Sequence, residues 1–110
     1  MENTTQTTLH GEFKHGMTAG KPKKTHMDFV VREASTLDML EAEMEASTAT
    51  PLNFNTHMAA RQLVRVGDYE GPFTFSMVAK LHRDDWAILR KAILEVNEKG
   101  EDEPAAEQTD

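Results

Sequence analysis

Residues 25–46 read THMDFVVREASTLDMLEAEMEA, and the spacing of the apolar side chains changes half-way along this stretch. They first alternate at Met27, Phe29 and Val31, which is the period of a half-buried strand rich in β-branched and aromatic residues. After residue 32 the apolar side chains recur three and four positions apart, which is the period of a helix. The stretch therefore predicts a strand followed directly by a helix.

The predicted helix spans about residues 36–46. Ser35 stands before it and Asp38 follows three residues later, a spacing that lets both side chains bind the free backbone N–H groups of a helix start. Three apolar residues share one face, which we interpret as the face toward the core: Leu37, Leu40 and Met44. The other face is acidic and carries Asp38, Glu41 and Glu45.

The residues before this strand predict its hairpin partner. Residues 9–13 carry apolar side chains two or four positions apart, and residues 16–24 contain two glycines, Pro22 and several lysines. This pattern predicts a β-hairpin over about residues 9–32 with a long flexible loop. Two strands alone are only marginally stable in water, so the hairpin needs a covering layer.

Further helices supply that layer and define the fold class. We predict them at about residues 56–66, 74–81 and 84–99, the first capped by Asn53 or Asn55 and the last closed by Gly100 in a left-handed cap. The fold class is α+β, with an N-terminal β-hairpin packed on three or four α-helices. The apolar faces of these helices are Ala59, Leu63 and Val66, then Met77, Val78 and Leu81, then Trp86, Leu89, Ile93 and Val96.

The charge is concentrated near one end of the chain. The 110 residues carry a formal net charge of -7, and five acids without a base lie in residues 101–110. This segment and residues 1–8 have little apolar material to bury, so we expect both to be disordered. Residues 9–100 then form a single small and nearly neutral domain, which excludes a large multidomain enzyme.

Catalytic and metal-binding motifs are not recognisable in the sequence. The chain has no cysteine, no Gly-x-Ser-x-Gly elbow and no phosphate-binding loop. We interpret the pair Asp84 and Asp85 as residues of a helix start rather than as an acid and a base. The histidines lack the spacing of a helical metal site, so we expect no catalytic, cofactor or metal site. The five histidines are His10, His15, His26, His57 and His82.

The chain is rich in methionine, with seven in all. Methionine is flexible and polarizable, so it suits surfaces that adapt to a partner, although most of these side chains are expected to fill an ordinary core. A small helical domain without a catalytic set and with apolar faces is typical of a binding module. Exposed methionine and leucine would also favour self-association.

Two segments resemble the phage Mu-type tail assembly chaperones. Residues 29–43, FVVREASTLDMLEAE, resemble the entry motif in which a strand ending in Arg-Glu leads through Thr to a helix with Asp-x-Leu and an Ala-Glu pair. Residues 81–89, LHRDDWAIL, resemble the step that opens the last helix of that family, and residues 62–68 are similar to its middle helix and following turn.

The resemblance implies a function. Such a protein is made from the tail gene cluster, stays in the cytoplasm of the bacterial host, and is absent from the finished particle. It binds the tape measure protein and keeps it soluble until the tail tube assembles, with other tail proteins as further partners, and it is not an enzyme. Eight residues would then divide between core and client surface: Leu37, Leu40, Met44, Met58, Leu63, Trp86, Leu89 and Ile93.

Two alternative functions remain open. One is a small structural or adapter component of a phage particle. The less favoured one is a nucleic-acid-binding regulator, because its positive charge is small and lacks interleaved aromatic residues; it would use Lys14, Lys21, Lys23, Lys24 and Arg32. A membrane partner is not expected, since no apolar run reaches the length of a spanning helix.

Overall fold

The fold is mixed α+β, and a computed structural model describes residues 7–46 and 50–102. The elements follow the order β1 (Thr8–Ala19), β2 (Lys24–Arg32), α1 (Thr36–Ala46), α2 (Pro51–Gln62), β3 (Leu63–Val66), α3 (Phe75–Ala79) and α4 (Arg83–Asp102). The N-terminal hairpin and α1 are confirmed. Thr8, expected to be disordered, is the first residue of β1. The expectations for residues 1–6 and 103–110 lie outside the described residues.

The hairpin has longer strands and a shorter turn than we predicted. β1 continues to Ala19, so the long flexible loop expected over residues 16–24 is wrong and the turn occupies only residues 20–23. Met17 and Ala19 are buried while Thr18 between them is exposed, and this alternation holds the chain in a strand. The pairing register shifts between Glu12 and Met17, which makes a bulge in the middle of β1.

A third strand replaces the end of the helix predicted at residues 56–66. α2 begins at Pro51, where the Thr50 side chain accepts a hydrogen bond from the Asn53 N–H at 3.3 Å, so Thr50 and not Asn53 or Asn55 is the cap. The helix ends at Gln62 and β3 pairs antiparallel with β2, giving the sheet order β1-β2-β3. Leucine and valine at residues 63–66 suit either a helix or a strand, and pairing with β2 decides between them.

The last two helices differ from the prediction at their ends. α3 covers Phe75–Ala79 rather than 74–81, and α4 covers Arg83–Asp102 rather than 84–99. Residues 101 and 102, expected to be disordered, continue α4. Gly100 lies inside this helix instead of forming a left-handed cap. A Cβ at Gly100 would meet the carboxylate of Glu33, so a larger residue there would require the Glu33 side chain to move.

α4 covers the sheet and forms the core with it. Its predicted apolar face is confirmed, since Leu89, Ile93 and Val96 are buried and Trp86 packs at their edge. Across the strands, the rings of Phe13 and Phe29 lie 4.6 Å apart between centroids. The buried cluster is completed by Met17, Ala19, Val31, Ala59, Leu63, Val66, Val78 and Ala92.

Candidate functional site

α1 is turned opposite to our prediction. Its buried residues are Asp38, Ala42 and Ala46. Its exposed residues include Leu37, Leu40 and Met44, which are 60%, 54% and 78% exposed. These three side chains form what we call the α1 apolar face. The interpretation of this face as the core face was therefore wrong.

Arg32 is the first reason for this orientation. Its guanidinium at the end of β2 donates to both carboxylate oxygens of Asp38, at 2.6 and 3.0 Å, and to the backbone oxygen of Arg61 at 2.7 Å. Asp38 also accepts from the Ser35 N–H at 2.9 Å, and the Ser35 hydroxyl accepts from the Asp38 N–H at 3.1 Å, which confirms the predicted capping pair. Burial alone would raise the pKa of Asp38, but hydrogen bonds from Arg32 and Ser35 outweigh it and hold this pKa below its usual value.

Arg61 is the second reason. From α2 its guanidinium contacts Glu41 at 2.5 Å and Glu45 at 2.9 Å. The acidic side of α1 is thus bound to cations of β2 and α2, and the apolar side is left to face solvent. The ion pairs between Arg61 and α1 are partly exposed, so their contribution is orientation more than stability.

A groove between α2, α3 and the start of α4 is a second apolar surface. Leu52 is 62% exposed and Phe75 is 40% exposed at this groove, and the Phe75 ring lies 4.6 Å from that of His57. Trp86 lines its floor beside Val78. The remaining lining residues are Thr50, Asn53, Thr56, Ala79, Leu81 and Arg83.

The structure divides the eight predicted core or client-binding residues into three groups. Four of them, Met58, Leu63, Leu89 and Ile93, are buried. Trp86 is half-buried at the groove. The other three form the α1 apolar face. Leu52 and Phe75 were not predicted, because they lie in the first turns of α2 and α3 and do not belong to an extended apolar face.

Asp85 ties the first strand to the last helix. Its carboxylate is fully buried and accepts backbone N–H bonds from Lys14 at 2.6 Å, His15 at 2.9 Å and Gly16 at 2.8 Å. Burial raises the pKa of Asp85, but these three donors outweigh it and lower the pKa below its usual value. The prediction that Asp85 merely marks a helix start missed this role, because the bulge that it binds is about 70 residues away in the chain.

The histidines are distributed over several environments. His10 contacts Asp28 at 3.4 Å, while His26 is packed beneath Gly67. His15 and His82 both lie beside Asp84.

Comparison with known proteins identifies the family. A family model described as tail assembly protein gp41, of the phage Mu type, matches residues 13–109. The chain belongs to the gp41 tail assembly family. The match begins at the bulge of β1 and includes α1 and α4, so this tail assembly protein shares the family pattern over the whole described fold except its first residues. No curated protein and no solved structure matches the chain.

The family places the protein among those that act with other components of a phage tail, and it confirms the resemblance seen in the sequence. Among the described residues of this gp41-family protein, no helix combines the length and the apolar character needed to cross a membrane.

Proposed function

We propose that this protein is a non-enzymatic chaperone that binds the tape measure protein in the cytoplasm of the bacterial host and keeps it soluble while the tail assembles. The observation that carries the proposal is the α1 apolar face. It belongs to a protein of a tail assembly family and presents apolar side chains that stay exposed among the residues described by the structure.

The exposure of this face is built into the fold. Arg32 and Arg61 hold the acidic side of α1 against β2 and α2, so the helix cannot turn its apolar side inward without separating those ion pairs. Contiguous exposed apolar side chains on a soluble protein are typical of an interaction surface. The flexible thioether of Met44, at 78% exposure, suits a client segment whose fit varies.

The shape and charge of the face indicate the kind of segment that it binds. Leu37, Leu40 and Met44 follow the helical period, so they fit an amphipathic helix with apolar side chains at a similar spacing. Glu43 is exposed next to this face and favours lysine or arginine at the edge of the client stripe. A long tape measure protein whose helices carry apolar stripes would aggregate without such a partner.

The test is co-expression with the tape measure protein of the same tail gene cluster. We expect the unmodified chain to keep this client soluble and to co-purify with it. A triple variant, Leu37→Gln, Leu40→Gln and Met44→Gln, should lose at least about nine-tenths of the bound client, because truncating central interface residues removes most binding energy. Glutamine preserves helix propensity, so the variant should unfold at nearly the same denaturant concentration.

The matched control is Leu94→Gln, which removes an exposed leucine of α4, 52% exposed, outside the α1 apolar face. It should retain the client. Equal client solubility with and without the chain would refute the chaperone function, and equal binding by both variants would refute the role of α1. Mass spectrometry of purified particles separates the alternative of a structural component, because a chaperone should be missing from them.

A further inference from the structure

We propose that His15, His82 and Asp84 form a binding site for a divalent transition metal ion, with Zn²⁺ as the best match. The three residues come from the bulge of β1 and the start of α4, two segments that the chain brings together only when folded. Two imidazoles and one carboxylate are ligands that zinc takes in sites with an open fourth position. Mg²⁺ and Ca²⁺ prefer sites made of oxygen ligands alone.

Two of the distances between the ligand atoms are close to those of a tetrahedral metal site. Asp84 Oδ2 lies 3.6 Å from His15 Nε2 and 3.6 Å from His82 Nδ1. One ligand atom from each residue can be chosen so that all three lie within 4.8 Å of one another. Ligands of a tetrahedral zinc ion at about 2.0–2.1 Å stand about 3.4 Å apart, so the two carboxylate–imidazole distances are already near this value. Because the two imidazole rings stack, they must turn about their side-chain bonds before both ring nitrogens can point at one ion.

The backbone that carries these ligands is already held in place. The His15 N–H donates to the buried carboxylate of Asp85 at 2.9 Å. The His82 carbonyl accepts from the N–H groups of Asp85 and Trp86, both at 2.9 Å, which fixes it to the first turn of α4. The imidazole rings of His15 and His82 stack with their centroids 3.9 Å apart. The metal site therefore requires little ordering of the main chain.

Two contacts compete with a metal and limit its affinity. Lys14 Nζ lies 3.9 Å from Asp84 Oδ2 as an exposed ion pair, which separates at low cost. His82 Nδ1 accepts from the Asp84 N–H at 3.0 Å, and ligation through this nitrogen would leave that N–H to water. The positive end of α4 also opposes a cation, an effect that the carboxylates of Asp84 and Asp85 offset. We therefore expect the affinity for the metal to be moderate.

A bound metal would link β1 to α4 next to the hydrogen bonds that Asp85 already makes with the bulge of β1. Because the ligands come together only in the native fold, binding stabilises that fold by mass action. The metal would thus stabilise the contact between the bulge of β1 and the start of α4.

The test uses the untagged full chain in metal-free buffer, titrated with Zn²⁺, Co²⁺ and Mg²⁺. We expect one equivalent of Zn²⁺ to bind and to raise the unfolding temperature, Mg²⁺ to do neither, and Co²⁺ to give the visible absorption of a low-coordinate site with nitrogen ligands. His15→Ala and His82→Ala should each weaken binding by about tenfold or more, since changes even outside the ligand shell reach that size. His10→Ala is the matched control, because His10 is an exposed histidine on the same strand as His15 and lies beside Asp28 of β2. This variant should bind Zn²⁺ as the unmodified chain does.

Nuclear magnetic resonance of the unmodified chain tests the ligands without relying on any variant's stability. Zn²⁺ should shift the imidazole signals of His15 and His82 before those of His10 and His57. Absence of Zn²⁺ binding, binding that survives both alanine substitutions, or first shifts at His10 or His57 would each overturn the proposal.

Discussion

Asp85 is a buried carboxylate whose three hydrogen-bond donors all belong to the bulge of β1. A bulge interrupts the pairing of a strand and leaves backbone N–H groups without a partner on the neighbouring strand. One ionised side chain from α4 satisfies three such groups and fixes the place where the last helix crosses the first strand. Leaving them buried and unpaired would cost a substantial part of the stability of a small domain.

Asp85→Asn should lower the free energy of unfolding by about 2–3 kcal/mol, because the amide has one acceptor oxygen and its NH₂ group faces backbone donors. Urea denaturation followed by circular dichroism measures the change. Asp84→Asn is the matched control, since its side chain is 45% exposed and it should change stability by less than about 0.5 kcal/mol in the absence of metal. Similar losses for the two variants would contradict the anchoring role of Asp85.

At the scale of the element, the orientation of α1 is set by its charged side chains. Two arginines bind its acidic side, and the small residues Ala42 and Ala46 lie buried on that side. Burying alanine instead of leucine contributes less hydrophobic free energy. The fold thus buries less apolar surface of α1 than it could, and the larger apolar side chains of this helix stay exposed at the surface.

Matched leucine substitutions should reveal this orientation. Leu89→Ala should destabilise the chain by about 2–5 kcal/mol, because it leaves a cavity in the core. Leu40→Ala should cost less than about 0.5 kcal/mol, because its side chain is 54% exposed. Denaturation midpoints give both values, and a large loss for Leu40→Ala would show that α1 packs through its apolar face in solution.

The helix that begins at Thr36 was predictable because its signals are local. Ser35 and Asp38 form their capping pair within one turn, and Leu37, Leu40 and Met44 keep the helical period along α1. Its orientation was not predictable, because it depends on arginines at the end of β2 and on α2. The period of a sequence indicates which side chains share a face, but not which face meets the rest of the chain.

The other differences have the same origin. Residues 63–66 continue an apolar helical pattern from α2, and only their pairing with β2 makes them a strand. The proposed metal ligands His15 and His82 are far apart in sequence, so a search for local histidine spacing could not join them. The core face of α4 was predictable from Leu89, Ile93 and Val96 because a long helix repeats its signal several times.

At the scale of the whole molecule, acid should weaken the fold through two buried carboxylates. The pKa values of Asp38 and Asp85 are both lower in the folded chain than their usual values. Their stabilising contribution is therefore fully present above the unfolded pKa of about 4 and is lost as pH falls through the folded values.

We expect the free energy of unfolding to fall as the pH drops below about 5 and these carboxylates become protonated. Asp85→Asn should be less stable at neutral pH and should lose less on acidification, because one of the two groups no longer titrates. Urea midpoints measured across this range give the slope. An equal slope in the variant and the unmodified chain would contradict the role of Asp85 in acid unfolding.

The link between Asp85 and the bulge of β1 also has a consequence for protein synthesis. A ribosome makes the chain from its N-terminus, and the two partners of this link are separated by about 70 residues. The β1–β2 hairpin therefore leaves the ribosome well before α4 exists, with its bulge and one apolar side uncovered. A pair of strands is marginally stable until a helix covers it. β1 is thus translated well before α4 but is fixed in place only after α4 has formed.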